Sequence, residues 1–322
     1  MADQAAVRTG SPVPADADAI VPFEDTVGGL DDSLGEIEIL AAPRAVGAHI
    51  RRQGGDAVIG AEVVPAGTLI GALQAAAAAA AGVDRVVVAR LPRVAVISTG
   101  SELVAPGTAL RRGQIPESNG ELLAGLVAET PAEVVLRTSV PDDDDALRGA
   151  LADAAALGAD VVVMSGGVSA GAYEVVKNTL GPGGEMRFDR VAMQPGKPQG
   201  FGRLASGPLL FGLPGNPVSA AVSFEVFVRP ALLAMQGRLA LHRPLITLPA
   251  ATGWRTPPGR RQYLPATVDR TDPARWSVRP ATAGGSGSHL AGGLARAEAF
   301  AIVAADVNVV EPGDPVDVML LS

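Results

Sequence analysis

Arg93-Val-Ala-Val-Ile-Ser-Thr-Gly-Ser-Glu102 is an unbroken apolar run that ends in a glycine turn, and the same design returns twice downstream. Ala159-Asp-Val-Val-Val-Met164 leads into Ser165-Gly-Gly-Val-Ser169, and Pro208-Leu-Leu-Phe-Gly-Leu213 leads into Pro214-Gly-Asn-Pro217. Short runs that are apolar at successive positions, rather than at alternate ones, belong to strands buried on both faces of a parallel sheet. In such sheets a ligand lies at the carboxyl ends of the strands. Glycine there lets the main chain approach the ligand, and a following helix offers free N–H groups to an anion. Three such turns in series, separated by helix-length segments, describe one crevice for a nucleotide-like or phosphorylated small molecule.

With 322 residues the chain is long enough for two or three domains. Aromatic residues make up only 3%, so any core is built from Ala, Val, Leu and Ile. A net charge of −8 argues against a nucleic-acid partner, which would require a basic footprint. Cysteine is absent, which excludes disulfides, thiolate catalysis and cysteine-based zinc sites. The three histidines, His49, His242 and His289, are too scattered for a histidine-rich metal centre. No run of about twenty apolar residues is evident, and the first residues lack the basic and apolar parts of a signal peptide. A cytoplasmic protein without a membrane partner is expected.

Composition divides the chain into three. Residues 1–91 carry short alternating runs, such as Ala17–Pro22 and Ile37–Leu40, and predict a β-rich N-terminal domain with one helix at about 73–81. Residues 92–237 alternate strand and helix signals, with helices predicted near 120–128, 143–157, 173–180 and 218–235. This is a three-layer α/β domain on a parallel sheet. Residues 238–322 hold short β-like runs between Pro and Gly and predict a small β-barrel-like domain.

Several segments, read in order, resemble the molybdopterin molybdenumtransferases, the MoeA and gephyrin E-domain family. They are Val94–Leu103, Gly113-Gln-Ile through Ser118-Asn119, Ser165–Ser169, Gln194-Pro-Gly-Lys-Pro198 and Gly212–Ser219. Upstream, Thr9–Pro14, Glu24-Asp25 and Ile50–Asp56 look like the same family, as does Gly287-Ser288-His289 downstream. The resemblance implies transfer of molybdenum from molybdate into adenylylated molybdopterin with release of AMP. It also implies a magnesium ion, a homodimer and molybdopterin-binding main-chain turns.

Carried over residue by residue, the resemblance assigns Glu102, Asp142 and Glu174 to the active site as magnesium ligands, with Asp56 as a further acid and Lys197 as a cation for phosphate or molybdate. Thr99, Gly100, Ser165, Gly166, Gly167, Ser169, Arg190, Gln194, Pro214, Gly215, Asn216, Pro217 and Ser288 become substrate contacts. Ordinary readings stand beside these. Glu102 could be a solvated surface acid, and Asp142 could be the N-cap of the following helix. Asp56 alone is a loop acid, and Pro214–Pro217 a plain tight turn. Lys197, between two prolines, is a point charge well held for an anion.

The chain also departs from the family pattern. Glu174 and Glu117 stand where Asp is usual, Ser101 likewise, Gln194 replaces a lysine, and Pro116 an aromatic residue. The family's Met-Asp-Gly-Tyr-Ala stretch has no counterpart here, so the start is either shortened or lacks one catalytic element. Two rivals follow: a weakened or non-catalytic pterin-binding scaffold, and another enzyme on the same α/β domain, such as a nicotinamide-nucleotide deamidase relative.

Overall fold

The computed structural model describes residues 7–28, 37–168, 174–282 and 291–321. The chain falls into two compact units, residues 1–66 with 70–86, and residues 67–69 with 87–322.

In the first unit, the runs that alternate in sequence do not become strands. Among its described residues there is one 3₁₀ turn, Phe23–Asp25, one isolated bridge between Thr26 and Ile39, and helix α1 (Ala72–Ala80). The physical reason is interruption. Left-handed glycines at 28, 47, 54 and 60 turn the chain before any run is long enough to form a ladder. Thr26 is the only described residue of this unit that is fully buried, so no core enforces pairing. α1 forms because it is almost all alanine, the best helix former, and because the Gly71 N–H donates to Gln74 Oε1 at 3.1 Å.

The second unit opens with β1 (Arg93–Thr99), the two-residue pair β2 (Leu103–Val104) and β3 (Ile115–Pro116), and α2 (Asn119–Glu129). It continues through β4 (Glu133–Val140), α3 (Asp144–Ala156), β5 (Val161–Ser165) and α4 (Val175–Leu180). Next come β6 (Met186–Arg190), β7 (Met193–Gln194), β8 (Pro198–Arg203), β9 (Leu209–Leu213) and α5 (Pro217–Met235). Six strands form one sheet in the order β4-β1-β5-β9-β8-β6.

That sheet is mixed, which corrects the expectation of a parallel one. β4, β1, β5 and β9 run parallel, whereas β8 is antiparallel to both β9 and β6. Only residues 204–208 join β8 to β9, and a link that short makes a hairpin, not a crossover.

The unbroken apolar runs are explained by helices on both faces. Ala95, Ile97, Val162 and Met164 pack with Leu147 and Leu151 of α3 and Val176 of α4. Their neighbours Val94, Val96, Val161 and Val163 pack with Leu123 of α2 and Phe224 and Val228 of α5. α5 is 19 residues long and apolar enough to cross a membrane by composition, but 67% of it is buried inside the unit, as in a core helix.

The chain then forms β10 (Leu245–Pro249), β11 (Trp254–Arg255), β12 (Arg261–Asp269), β13 (Ser277–Pro280), β14 (Ala299–Val303), β15 (Val309–Val310) and β16 (Pro315–Leu320). An antiparallel sheet of order β10-β16-β14-β12-β13 results. A bridge between Ala250 and Val278 brings its two edges together, and the closed side holds Leu264, Ala266, Ala301 and Val318. β7 adds to this sheet beside β12, pairing Met193 with Arg261 and Gln194 with Gln262. Met193, Val222, Tyr263 and Phe300 share a small core at that junction.

Two acids, Glu225 and Asp160, tie the frame through ion pairs. Glu225, buried on α5, accepts from Arg243 Nε at 2.9 Å and Nη2 at 3.1 Å, with Arg229 Nε at 3.8 Å. Burial, together with neighbouring Arg243, pushes the Arg229 guanidinium below its ordinary range. Glu225→Ala would strand two half-buried arginines, and we expect a stability loss of about 3 kcal/mol in a urea titration. At the head of β5, Asp160 accepts from Arg90 at 2.5 and 2.6 Å and from the Arg93 N–H at 2.9 Å. The Arg90 guanidinium holds the Asp160 carboxyl below the usual carboxylate range. A lowered folded-state value means the contribution is complete above the unfolded carboxyl's pKa, near 4, and is lost as pH falls through the folded value. The stability gap between the wild-type chain and Asp160→Asn should therefore be present at pH 7 and shrink below about pH 4 in acid-dependent urea titrations.

Candidate functional site

The three glycine turns meet. A Cβ on Gly166, where φ is +93°, would lie 2.6 Å from the Thr99 carbonyl oxygen and 2.8 Å from Thr99 Oγ1. On its other side, the Gly166 N–H donates to the Leu213 carbonyl at 3.0 Å, and a Cβ on Gly215 would sit 3.5 Å from Gly166 Cα. The turns after β1, β5 and β9 thus touch main chain to main chain. Strand register puts them level, since Ser98 lies opposite Ser165 and Ser165 opposite Leu213.

They open on a cavity of about 740 Å³. Thr99, Glu102, Asp142, Ser165, Gly166, Gly167 and Glu174 line one part of it, and Pro214, Gly215, Asn216 and Ser219 another. The turn from Met193 to Pro198, carrying Gln194 and Lys197, supplies a further wall, and Arg260 reaches it from just before β12. The Gln194–Pro195 peptide in this wall is cis.

Individual side chains are placed by local chemistry. Glu102 folds back over Gly100, whose absent Cβ would come within 2.8 Å of both carboxylate oxygens. Asp142 is not the helix cap that its spacing allowed. Asp143 caps α3 by accepting from the Ala146 N–H at 2.8 Å. Asp142 instead accepts from the Ser101 N–H at 3.1 Å, while its own N–H donates to Ser101 Oγ at 3.0 Å. This reciprocal pair ties the loop after β4 to the turn after β1 and holds a carboxylate at the cavity wall. Lys197 is exposed and has no ion-pair partner among the described residues.

Other residues singled out in the sequence lie elsewhere. Gly100 sits beneath Glu102, and Pro217 is the first residue of α5, suited by its fixed φ. Arg190 ends β6 opposite Pro198 and is exposed, outside the lining. Asp56 belongs to the first unit, where it is exposed in a turn. Ser169 and Ser288 fall outside the described residues. Sequence reasoning missed Arg260 and Asn119 as lining residues. Arg260 carries no local signal, because only the pairing of β7 with β12 brings it near. Asn119 had one, its place next to a predicted helix start.

A cavity walled by main-chain turns at one edge of a mixed α/β sheet, with a cation reaching it from just before β12, defines the class: a multidomain α/β protein with its candidate site at the carboxyl ends of parallel strands. Comparison with known proteins gives the family. Residues 95–234 match the probable molybdopterin binding domain, residues 2–82 the MoeA N-terminal region (domain I and II), and residues 247–321 the MoeA C-terminal region (domain IV). The chain is 46% identical over 269 residues to molybdopterin molybdenumtransferase 2 of Mycobacterium tuberculosis, covering 82% of this chain and 65% of that protein. It therefore spans less than two thirds of that relative's length. It is 36% identical to molybdopterin molybdenumtransferase 1 of the same organism, covering 98% of this chain and 74% of the relative. A crystal structure of the molybdopterin biosynthesis MoeA protein from Pyrococcus horikoshii superposes with a TM-score of 0.76 at 30% identity, over 96% of this chain and 73% of that one. The chain belongs to the molybdopterin molybdenumtransferase (MoeA) family, as its motifs implied.

Gly166→Ala tests the contact between the turns. The added methyl meets main chain at a left-handed φ, so we expect a loss of about 2 kcal/mol or more in urea titration, larger than for Gly149→Ala, where nothing crowds the site.

Proposed function

We propose that the chain transfers molybdenum from molybdate into adenylylated molybdopterin, releasing AMP, as a cytoplasmic homodimer. The observation that carries this reading is the meeting of three main-chain turns, three carboxylates and two cations around one cavity in a chain of this family. Matches outside the α/β domain, at residues 2–82 and 247–321, favour it over other enzymes built on that domain alone.

In this reading the turns at Thr99, Ser165–Gly167 and Pro214–Asn216 receive the phosphates and the pterin-bearing substrate. The N-terminus of α5, with Ser219 beside it, favours a phosphate by its free N–H groups and dipole. Lys197 acts as a point charge and Arg260 as a planar two-donor clamp on oxyanions. Gln194 orients by hydrogen bonding without adding charge. Arg190, exposed at the end of β6, lies outside the lining and has a weaker claim than Arg260.

Magnesium fits the lining in one form only. Among the described residues no three His, Asp or Glu side chains gather as a ligand set. Glu102, Asp142 and Glu174 are hard oxygen donors spread along the wall, which suits a hydrated ion held by one or two carboxylates. When bound, that ion supplies charge neutralisation at the substrate phosphates. The protein's own contribution is to align adenylate and molybdate and to offset charge, which needs little proton transfer.

The test is AMP release from adenylylated molybdopterin in the presence of molybdate and Mg²⁺. Lys197→Gln and Arg260→Gln should each lower kcat/KM by about tenfold to a hundredfold, because each removes a charge-assisted contact. Tight substrate binding without AMP release by the unaltered chain would replace this reading with that of a scaffold.

A further inference from the structure

α2 begins at the crevice, and its first residues hold the turns together. Glu117 Oε1 accepts from the Gly120 N–H at 2.8 Å and from Ser98 Oγ at 2.9 Å. Ser165 Oγ in turn donates to Ser98 Oγ at 3.4 Å. Thus the ends of β1 and β5 are joined to the start of α2. The turn after β9 is held separately, by Asn119 Nδ2 donating to the Gly215 carbonyl at 2.6 Å.

A carbonyl oxygen can only accept, so this bond decides which end of the Asn119 carboxamide faces Gly215. Oδ1 is left on the other side, buried and without a partner among the described residues. A buried orphan acceptor is a cost, and native proteins hold few of them. Nothing in the helix demands Asn at this position. It is the first residue of α2, where Ala would serve the helix better, and it makes no cap. The residue is only 8% exposed and lines the cavity. The carboxamide is therefore committed to the Gly215 turn and not to its own helix, while its other end is left unpaired.

We infer that Asn119 is a positioning residue: by engaging the Gly215 carbonyl it keeps that oxygen out of the crevice, so that the Pro214–Pro217 turn presents no negative dipole to a phosphate-bearing ligand. Without the donor, the carbonyl loses its partner and its peptide plane is free to turn toward the cavity, where the oxygen repels phosphate. The inference rests on the function proposed above for the kind of ligand, though the constraint on the turn is a property of the fold alone.

The test compares the full chain with Asn119→Ala and with Asn119→Asp, which has the same shape but no donor. AMP is the probe, titrated calorimetrically, with hydrogen exchange of the 214–219 amides and thermal melting measured in parallel. Asn119→Ala should melt within about 3 °C of the unaltered chain, since it also removes the orphan acceptor. Both variants should bind AMP about tenfold more weakly, the loss of one hydrogen-bond's worth of positioning, and should exchange the 214–219 amides faster. AMP affinity unchanged in Asn119→Ala, or a loss matched by a large fall in melting temperature, would overturn the inference. If the unaltered chain itself fails to bind AMP, the functional reading falls. Exchange then decides alone: rates equal to the unaltered chain's sink the positioning role, and faster rates uphold it.

Discussion

The absence of one methyl group at Gly166 is the constraint on which the site depends. Thr99 and Gly166 approach so closely that a Cβ would lie 2.6 Å from a main-chain oxygen, and Gly215 closes on the opposite side. Because β1, β5 and β9 pair in parallel with their last residues level, the chain leaves all three at one height. Parallel pairing in turn requires helical crossovers, and these bury both faces of the sheet. The alternation of Val94 and Val96 toward α2 and α5 with Ala95 and Ile97 toward α3 is what keeps the sheet rigid beneath the turns. Packing, register and crevice are thus one arrangement seen at three scales.

Much of this was legible in the sequence because it depends on neighbours. Strands buried on both faces announce themselves as apolar runs, and glycines at their ends announce a close approach. Helices were also locatable, α3 behind its run of aspartates and α5 behind Pro217 at its first turn. What failed depended on partners far along the chain. The antiparallel edge of β8 and β6 follows from a short link whose strands, such as Gln199–Arg203, are polar and glycine-containing and carry no strong strand pattern. The β-like runs near the N-terminus have the right alternation but no burial to enforce it, so propensity alone did not make strands. Asp142 and Asp143 look interchangeable in sequence, and only the Ser101 contact separates a site carboxylate from a helix cap.

Arg260 shows the same limit in the site itself. Its approach depends on β7, two residues from the middle of the α/β region that pair with β12 of the C-terminal sheet. That pairing fixes the Met193–Pro198 turn from one side, while Met193, Tyr263 and Phe300 fix it from beneath. Lys197 and Arg260 therefore reach the cavity from elements locked to each other, although they arise from different parts of the fold. The main-chain positions that carry the two cations are fixed by tertiary pairing rather than by sequence proximity.

Charge is also what a divalent cation would supply in the proposed reaction. Glu102, Asp142 and Glu174 line the same cavity as Lys197 and Arg260, so the titratable lining is negative by one unit when all five are ionised. The whole chain carries −8. A ligand bearing phosphates and an oxyanion meets an unfavourable balance there, and helix termini offset it only by fractions of a charge. The three carboxylates make sense if their charge is met by a cation that comes with the substrate. A hydrated magnesium ion held by one or two of them would change the lining from −1 to +1. In the proposed reaction the turns would hold the phosphates, and one or two of these acids would hold the hydrated metal.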